Sequence, residues 1–390
     1  MTEVIPDGAP RAYRDHVNQA PRTSAPLDRQ GANAFDHHPF LAIWELTQAC
    51  DLVCAHCRAC ATPERSPREL DTAEGKRLLD RIAAMGTPLV VLTGGDPAKR
   101  PDLVELVRHG ARAGLVMAVT PSGTGLTQRP LLEELKAAGL ARLAVSVDGH
   151  DAATHDAFRG VTGSFADSVR ILDEARAIGL STQINTSLHA GNIDHLGEVA
   201  ALVERVGASL WGVFALVPTG RASSSMFMGP KRLERALEEL AEISLRAPFD
   251  VKTTAAPHFR RVLMARHATR ASLGVLRDVD EAGVVKGPRG ITDGVGFLFV
   301  SHEGDVFPSG FLPLSAGNVR DTDVGELYRD APLFRALRDL DRLGGKCGAC
   351  PFKRVCGGSR ARAFAMRGDP LAEDPLCSYV PRGWPREVAS

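Results

Sequence analysis

The sequence predicts an α/β chain: a partial (β/α)6 barrel followed by a small α+β module rich in cysteine. Three observations carry that prediction. From Leu41 to about Leu245, short apolar, β-rich runs alternate with amphipathic helical stretches, the pattern of repeated βα units on a parallel sheet. Six such units are too few to close an eight-stranded barrel, so the sheet is expected to stay open on one side. The cysteines fall in two groups, 50, 54, 57, 60 and 347, 350, 356, 377, the second behind a C-terminal hairpin pattern.

Composition excludes several classes. At 390 residues, 44% hydrophobic and 24% charged, the chain is long enough for two domains and ordinary for a globular protein. Lys plus Arg and Asp plus Glu both number 47, so no net field draws it to nucleic acid or to an anionic membrane. A small or neutral partner is expected. The first residues lack an apolar signal region, and no run approaches the roughly 18 apolar residues of a membrane helix, which predicts a cytoplasmic protein. In a reducing compartment, two clusters of cysteine read as metal ligands and not as disulfides.

Residues 1–40, rich in Pro, Arg, Asp and Ala without period, read as an N-terminal arm in which His37 and His38 belong to a solvated turn. The barrel is assigned to 41–247. Its strands are expected at 41–47, 88–93, 115–120, 141–147, 181–188 and 209–217. Helices are expected near 72–85, 101–113, 130–138, 164–178, 192–206 and 230–246. Residues 248–290 change character, basic and periodic only in patches, and read as a bridge carrying His258 and His267 as surface or rim residues. Residues 291–390 form the cysteine module. It opens with a hairpin turned at Glu303-Gly304-Asp305, then helices from about Val324 and from Leu333 to Leu340.

Parallel βα arrays place active sites at the carboxyl ends of their strands, and the notable residues cluster there. Cys50, Cys54 and Cys57 form a C-x3-C-x2-C array just after the first strand. Three thiolates on a four-iron cubane leave one iron open, as a catalytic zinc keeps one open position; a zinc site completed by a fourth ligand such as Cys60 is the alternative. Cys60 itself reads as a buried thiol. After the second strand comes Thr93-Gly94-Gly95-Asp96-Pro97, where two glycines allow close backbone approach. Later strands end in Ser122 with its neighbours, in Ser146-Val147-Asp148-Gly149 followed by Arg159, in Asn185-Thr186, and in Val217-Pro218-Thr219-Gly220-Arg221. Asp148 reads equally as a cap and as a substrate contact.

The cysteine array, with His56 in a slot that is often aromatic, resembles the signature of the radical S-adenosylmethionine (SAM) enzymes. Gly94-Gly95-Asp96 resembles that family's GGE motif, with Asp for Glu. The resemblance implies a SAM-binding [4Fe-4S] cluster on Cys50, Cys54 and Cys57, with SAM contacts at Gly94, Gly95, Asp96, Ser122, Ser146, Arg159 and Asn185. It also implies an outside electron donor, a reductase, flavodoxin or ferredoxin.

Cys347-x2-Cys350-x5-Cys356 and the distal Cys377 can fully ligate one cluster or one zinc. Hairpin, helix and this spacing resemble the SPASM and twitch type auxiliary-cluster modules. Pro308-Ser309-Gly310 stands where the full SPASM form has another cysteine, which implies one auxiliary [4Fe-4S] cluster on Cys347, Cys350, Cys356 and Cys377. Cys57-Arg58-Ala59 and the run from Gly357 to Pro381 resemble the heme synthase and heme d1 biosynthesis radical SAM proteins. That implies oxidative change of a tetrapyrrole propionate, with Lys353, Arg354, Arg360, Arg362 and Arg367 either gripping carboxylates or offsetting cluster charge. Maturation of a ribosomally made peptide is the other reading; only about 40 residues precede the barrel, which counts against a peptide-recognition domain there.

Overall fold

The computed structural model describes residues 35–270 and 290–385. Most of the expected N-terminal arm and the second half of the expected bridge lie outside these residues. Seven parallel strands run in chain order across the sheet: β1 (Leu41–Thr47), β2 (Leu89–Gly94), β3 (Val116–Val119), β4 (Leu140–Ser146), β5 (Ser181–Leu188), β6 (Leu210–Ala215) and β7 (Asp250–Thr254). Helices connect them: α1 (Thr72–Ala84), α2 (Leu103–Arg112), α3 (Arg129–Ala137), α4 (Ala152–Arg159), α5 (Ser164–Ala177), α6 (Leu196–Arg205) and α7 (Pro230–Ser244). After β7 comes α8 (Phe259–Arg270).

Six of the parallel strands lie where the apolar runs put them; β7 falls inside the segment read as a bridge. Its sequence, DVKTT, explains why. Val251 alone joins the apolar core, while Asp250, Lys252 and Thr254 face the other way, so no apolar run announces a strand. The helix α4, capped by Asp151 accepting from the Thr154 N–H at 2.8 Å, is likewise additional to the expected set.

Alternation divides the sheet into two faces. Ala42, Trp44 and Leu46 on β1, Val90 and Leu92 on β2, Ile184 on β5, and Trp211 and Val213 on β6 are buried in one continuous core with the helices. Truncating a buried residue such as Trp44 to Ala would cost about 3–5 kcal/mol. The opposite face carries Glu45, Arg142, Ser146, Gln183, Asn185, Ser187 and Lys252. A polar concave face does little for stability.

The cysteine module extends the same sheet. Its strands β8 (Phe297–Val300), β9 (Asp305–Phe307) and β10 (Gly317–Asn318) give the order β10-β9-β8-β1-β2-β3-β4-β5-β6-β7. The hairpin β8–β9 is antiparallel as expected, but β8 also pairs in parallel with β1, Trp44 opposite Val300. Then follow α9 (Val324–Asp330), α10 (Pro332–Arg338), α11 (Gly345–Gly348) and α12 (Arg360–Arg367). Among the described residues no helix is long and apolar enough to cross a membrane.

Candidate active site

The loop after β1 is held on three sides. Its start is tied down by the Cys50 N–H donating to the Thr62 carbonyl at 2.7 Å, and Arg221 clasps its middle, donating from its backbone to the Cys57 carbonyl and from Nε to the Cys54 carbonyl, both at 3.0 Å. Its third support is α4, whose Phe158 carbonyl accepts from the Ala55 N–H at 3.0 Å. Thus fixed, the three sulfurs each meet one donor: the Leu52 N–H on Cys50 at 3.4 Å, the Ala61 N–H on Cys57 at 3.5 Å, and Arg159 Nη1 on Cys54 at 3.6 Å. Burial pushes the Cys50 and Cys54 thiols up, and Arg159 partly counters this at Cys54. Thiols that resist ionisation when alone become thiolates on a cationic centre, which suits this donor set to iron.

The glycine pair at the end of β2 is welded to this loop. Gly95 and Asp96 donate their N–H groups to the Thr47 and Ala49 carbonyls, both at 2.7 Å. A side chain on Gly95 would collide with the Ala49 carbonyl, and Gly94, at φ +154°, presses on Thr47 in the same way. Asp96 is fully buried and accepts from the hydroxyls of Ser122 at 2.5 Å and Thr124 at 2.9 Å, besides the Ala98 N–H. Its carboxylate therefore anchors the next strand end, and Ser122 is brought beside Cys50.

Arg159 and Asp148 form an ion pair at 2.8 Å with both side chains buried, and Asp148 also accepts from the Ser187 N–H at 2.6 Å. Burial works against the Arg159 charge, but Asp148 and the Cys54 sulfur outweigh it and keep the guanidinium protonated. Asp148 is thereby a structural anchor, and Arg159 points at Cys54. His56 stacks on Phe158 with ring centres 4.2 Å apart, and Phe158 on His189 at 4.0 Å, a three-ring column beside the cysteine loop. Burial lowers the His56 pKa to about 4, so the ring is neutral, and its Nε2 lies 3.2 Å from the Ser187 hydroxyl. Ser146 and Asn185 are register neighbours on the concave wall, and Asn185 Oδ1 accepts from Gln183 Nε2 at 2.6 Å.

The second cysteine group lines one cavity. Cys347, Cys350, Cys356 and Cys377 share it with His258, Arg261, Asp374 and Tyr379. Cys347 Sγ accepts from the Asp374 N–H at 3.4 Å and from Arg360 Nη2 at 3.5 Å, and Cys356 Sγ from the Gly358 N–H at 3.4 Å. Gly358, at φ +69°, leaves no room for more: a Cβ would stand 2.9 Å from Cys347 Sγ. Burial raises the Cys356 thiol far above its usual range, with neighbouring thiols adding to it, and pushes Cys377 up to about 12, with Asp374 and then Cys347 adding to it. Four thiolates in such a place need a compensating cationic core. Among the described residues no three His, Cys, Asp or Glu side chains converge on a single-ion centre.

Three readings of the sequence are corrected. Cys60 is exposed, with φ +48°, because its N–H closes the loop on the Cys57 carbonyl and turns its thiol outward. Arg360 and Arg362 are 2% and 0% exposed and their donors are already taken. Arg362 makes a bidentate pair with Asp374 at 2.8 and 2.7 Å and donates to the Ala255 carbonyl; Arg360 serves Cys347 and the Pro370 and Ala372 carbonyls. They brace the cavity and do not face a substrate. His258, read as a rim residue, is 1% exposed inside that cavity, and both ring nitrogens are without a hydrogen-bond partner among the described atoms. No local pattern marks it; only its position beside Phe259, where α8 docks through Arg260 to the Val355 and Ile291 carbonyls, brings it there.

Comparison with known proteins matches this arrangement. Residues 44–203 match the model of the radical SAM superfamily. The AdoMet-dependent heme synthase of Nitratidesulfovibrio vulgaris is 41% identical over 88% of this chain and 93% of its own length. That of Methanosarcina barkeri is 40% identical over 89% and 99%. A PqqA peptide cyclase of Ruegeria pomeroyi is 30% identical over 88% of both chains. Among solved structures, Streptococcus suis SuiB bound to its precursor peptide SuiA superposes with a TM-score of 0.70 at 16% identity, covering 97% of this chain and 84% of that one. A cysteine loop braced by a glycine strap, on a sheet shared with a four-cysteine module, is thus matched along nearly its whole length, and the chain belongs to the radical SAM superfamily, as an enzyme that uses a [4Fe-4S] cluster and SAM.

Proposed function

We propose that this enzyme oxidatively decarboxylates propionate side chains of a tetrapyrrole to vinyl groups. The observation that carries the reading is the likeness to AdoMet-dependent heme synthases along about nine-tenths of the chain. Cys50, Cys54 and Cys57 would hold the SAM-binding cluster, with Gly94, Gly95, Asp96, Ser122, Ser146, Arg159 and Asn185 around the cosubstrate. Cys347, Cys350, Cys356 and Cys377 would hold the second cluster.

Reduced by an outside donor such as a flavodoxin or ferredoxin, the SAM site supplies a 5′-deoxyadenosyl radical that takes one hydrogen atom from an unactivated carbon. A propionate that has lost that hydrogen becomes a vinyl group by releasing CO2 and one electron. The balance therefore requires an electron acceptor. A site with four thiols has no open position for SAM, which suits it to that task. Arg360 and the Asp374 backbone, hydrogen-bonded to Cys347, would hold its thiolate charge in place. Eight cysteines without a disulfide suit the cytoplasm.

The test is anaerobic incubation of the reconstituted protein with SAM, dithionite and iron coproporphyrin. The expected products are 5′-deoxyadenosine and porphyrins lighter by one or two formic acid masses. Release of S-adenosylhomocysteine, or SAM cleavage with the porphyrin unchanged, would overturn the assignment. The peptide cyclase likeness favours a second reading, modification of a ribosomal peptide; an unbound porphyrin together with a crosslinked or oxidised peptide would establish it.

A further inference from the structure

The concave wall of the sheet carries a cation that neither cysteine site uses. Register places Ser146, Asn185, Gly212 and Lys252 at one level on β4 to β7, each opposite the next. Gly212 opens the wall between Asn185 and Lys252: a Cβ there would stand 2.7 Å from Asn185 Oδ1. Lys252 is half-buried on the concave face of β7. Burial, and next the like charge of Arg142, hold its pKa down to about 8. Arg142 stands on β4, three strands away and four residues lower in register, about 19 Å along a flat sheet. Its influence on Lys252 therefore acts across the concavity. Asp250 offsets part of the burial of Arg142, but no carboxylate among the described residues is paired with Lys252. A lysine on the concave face that has no described anion and feels a second positive charge is relieved by a bound carboxylate.

We propose that Lys252, opened to the concave face by the gap at Gly212 and with Arg142 lower on the same face, is the subsite that receives a carboxylate of the substrate. Calling that carboxylate a propionate rests on the tetrapyrrole reading; the subsite itself does not. It supplies the carboxylate grip that was one of the two roles open to Arg360 and Arg362, whose donors are consumed inside the module.

The experiment has two arms on the protein reconstituted with both clusters. In the first, metal-free coproporphyrin III and its tetramethyl ester are titrated by fluorescence against wild type, Lys252→Met and Lys252→Arg. Wild type is expected to prefer the free acid, Lys252→Met to lose about tenfold or more of that affinity and none for the ester, and Lys252→Arg to recover most of it. Equal binding of the acid by Lys252→Met and wild type would overturn the subsite. In the second arm, acetylation of Lys252 by acetic anhydride is followed by peptide mass analysis with and without succinate, with exposed Lys231 as reference. Succinate should slow modification of Lys252 selectively. Protection by succinate without porphyrin binding would uphold the subsite and refute the tetrapyrrole. No protection and no preference for the acid would refute the subsite.

Discussion

Replacing Arg362 by Met should unseat the second cysteine site from a distance. The Arg362–Asp374 pair is fully buried, and Asp374 additionally accepts from the Ser359 and Leu376 N–H groups. Burial alone would raise the Asp374 pKa, but the guanidinium overrides it and holds the carboxyl well below its usual range. Removing one partner of such a pair leaves a buried, uncompensated charge, a loss of about 3–5 kcal/mol, or two to three and a half powers of ten in the local opening equilibrium. The Ala255 carbonyl, an anchor between β7 and α8, loses its donor as well. Because Asp374 carries the N–H bonded to Cys347, iron should be lost from this site first. The assay is iron content with urea unfolding followed by cluster absorbance: wild type about eight irons, the variant about four, from one cubane per array. The pH dependence should reverse in sign. In wild type the lowered Asp374 pKa contributes stability above the unfolded carboxyl value, lost as pH falls through the folded one. In the variant, burial prevails, the folded pKa is raised, and lowering the pH from 7 to 5 should recover stability by protonating Asp374. Pairing Arg362→Met with Asp374→Leu should recover stability too. A single variant with full iron and an unchanged midpoint would refute this account.

Gly95→Ala should push the cysteine loop off its strap, since the new methyl meets the Ala49 carbonyl; iron should fall to about four with the second site intact, and retention of all eight would contradict the close fit. His258→Leu should leave iron content unchanged. Because hydrogen bonds to cluster sulfurs raise reduction potentials, it should make the second site's midpoint more negative by about tens of millivolts in an EPR-monitored titration, and an unmoved potential would show that the ring meets no sulfur. Arg159→Met removes the Asp148 partner and the donor on Cys54 and should lower SAM-dependent signal changes at the first cluster while sparing the second; equal loss at both would point to general unfolding.

Most of the barrel was legible because its strands are apolar runs punctuated by capped helices: β1 and β5 fall on 41–47 and 181–188 as read. The cysteine groups were legible because metal ligands must recur at short spacings. What escaped depends on contacts distant in sequence. β7 hides because Val251 alone of its residues joins the core. Arg360 and Arg362 look like a ligand-binding patch until Asp374 and Ala255 fold onto them. Lys252 lies on a strand that no apolar run announces, and His258 reaches the second cavity by the docking of α8.

The pairing of β8 with β1 makes the cysteine module something other than an appendage. The strand that delivers Cys50 is flanked by β2, which delivers the glycine strap, and by β8, which opens the module. The first cysteine array and the opening strands of the module thus share one continuous backbone ladder. Cutting the chain before β8 would expose a bare strand edge next to the first site, an invitation to aggregate. Removing the module takes away a strand that flanks β1, so its removal cannot report on electron transfer alone.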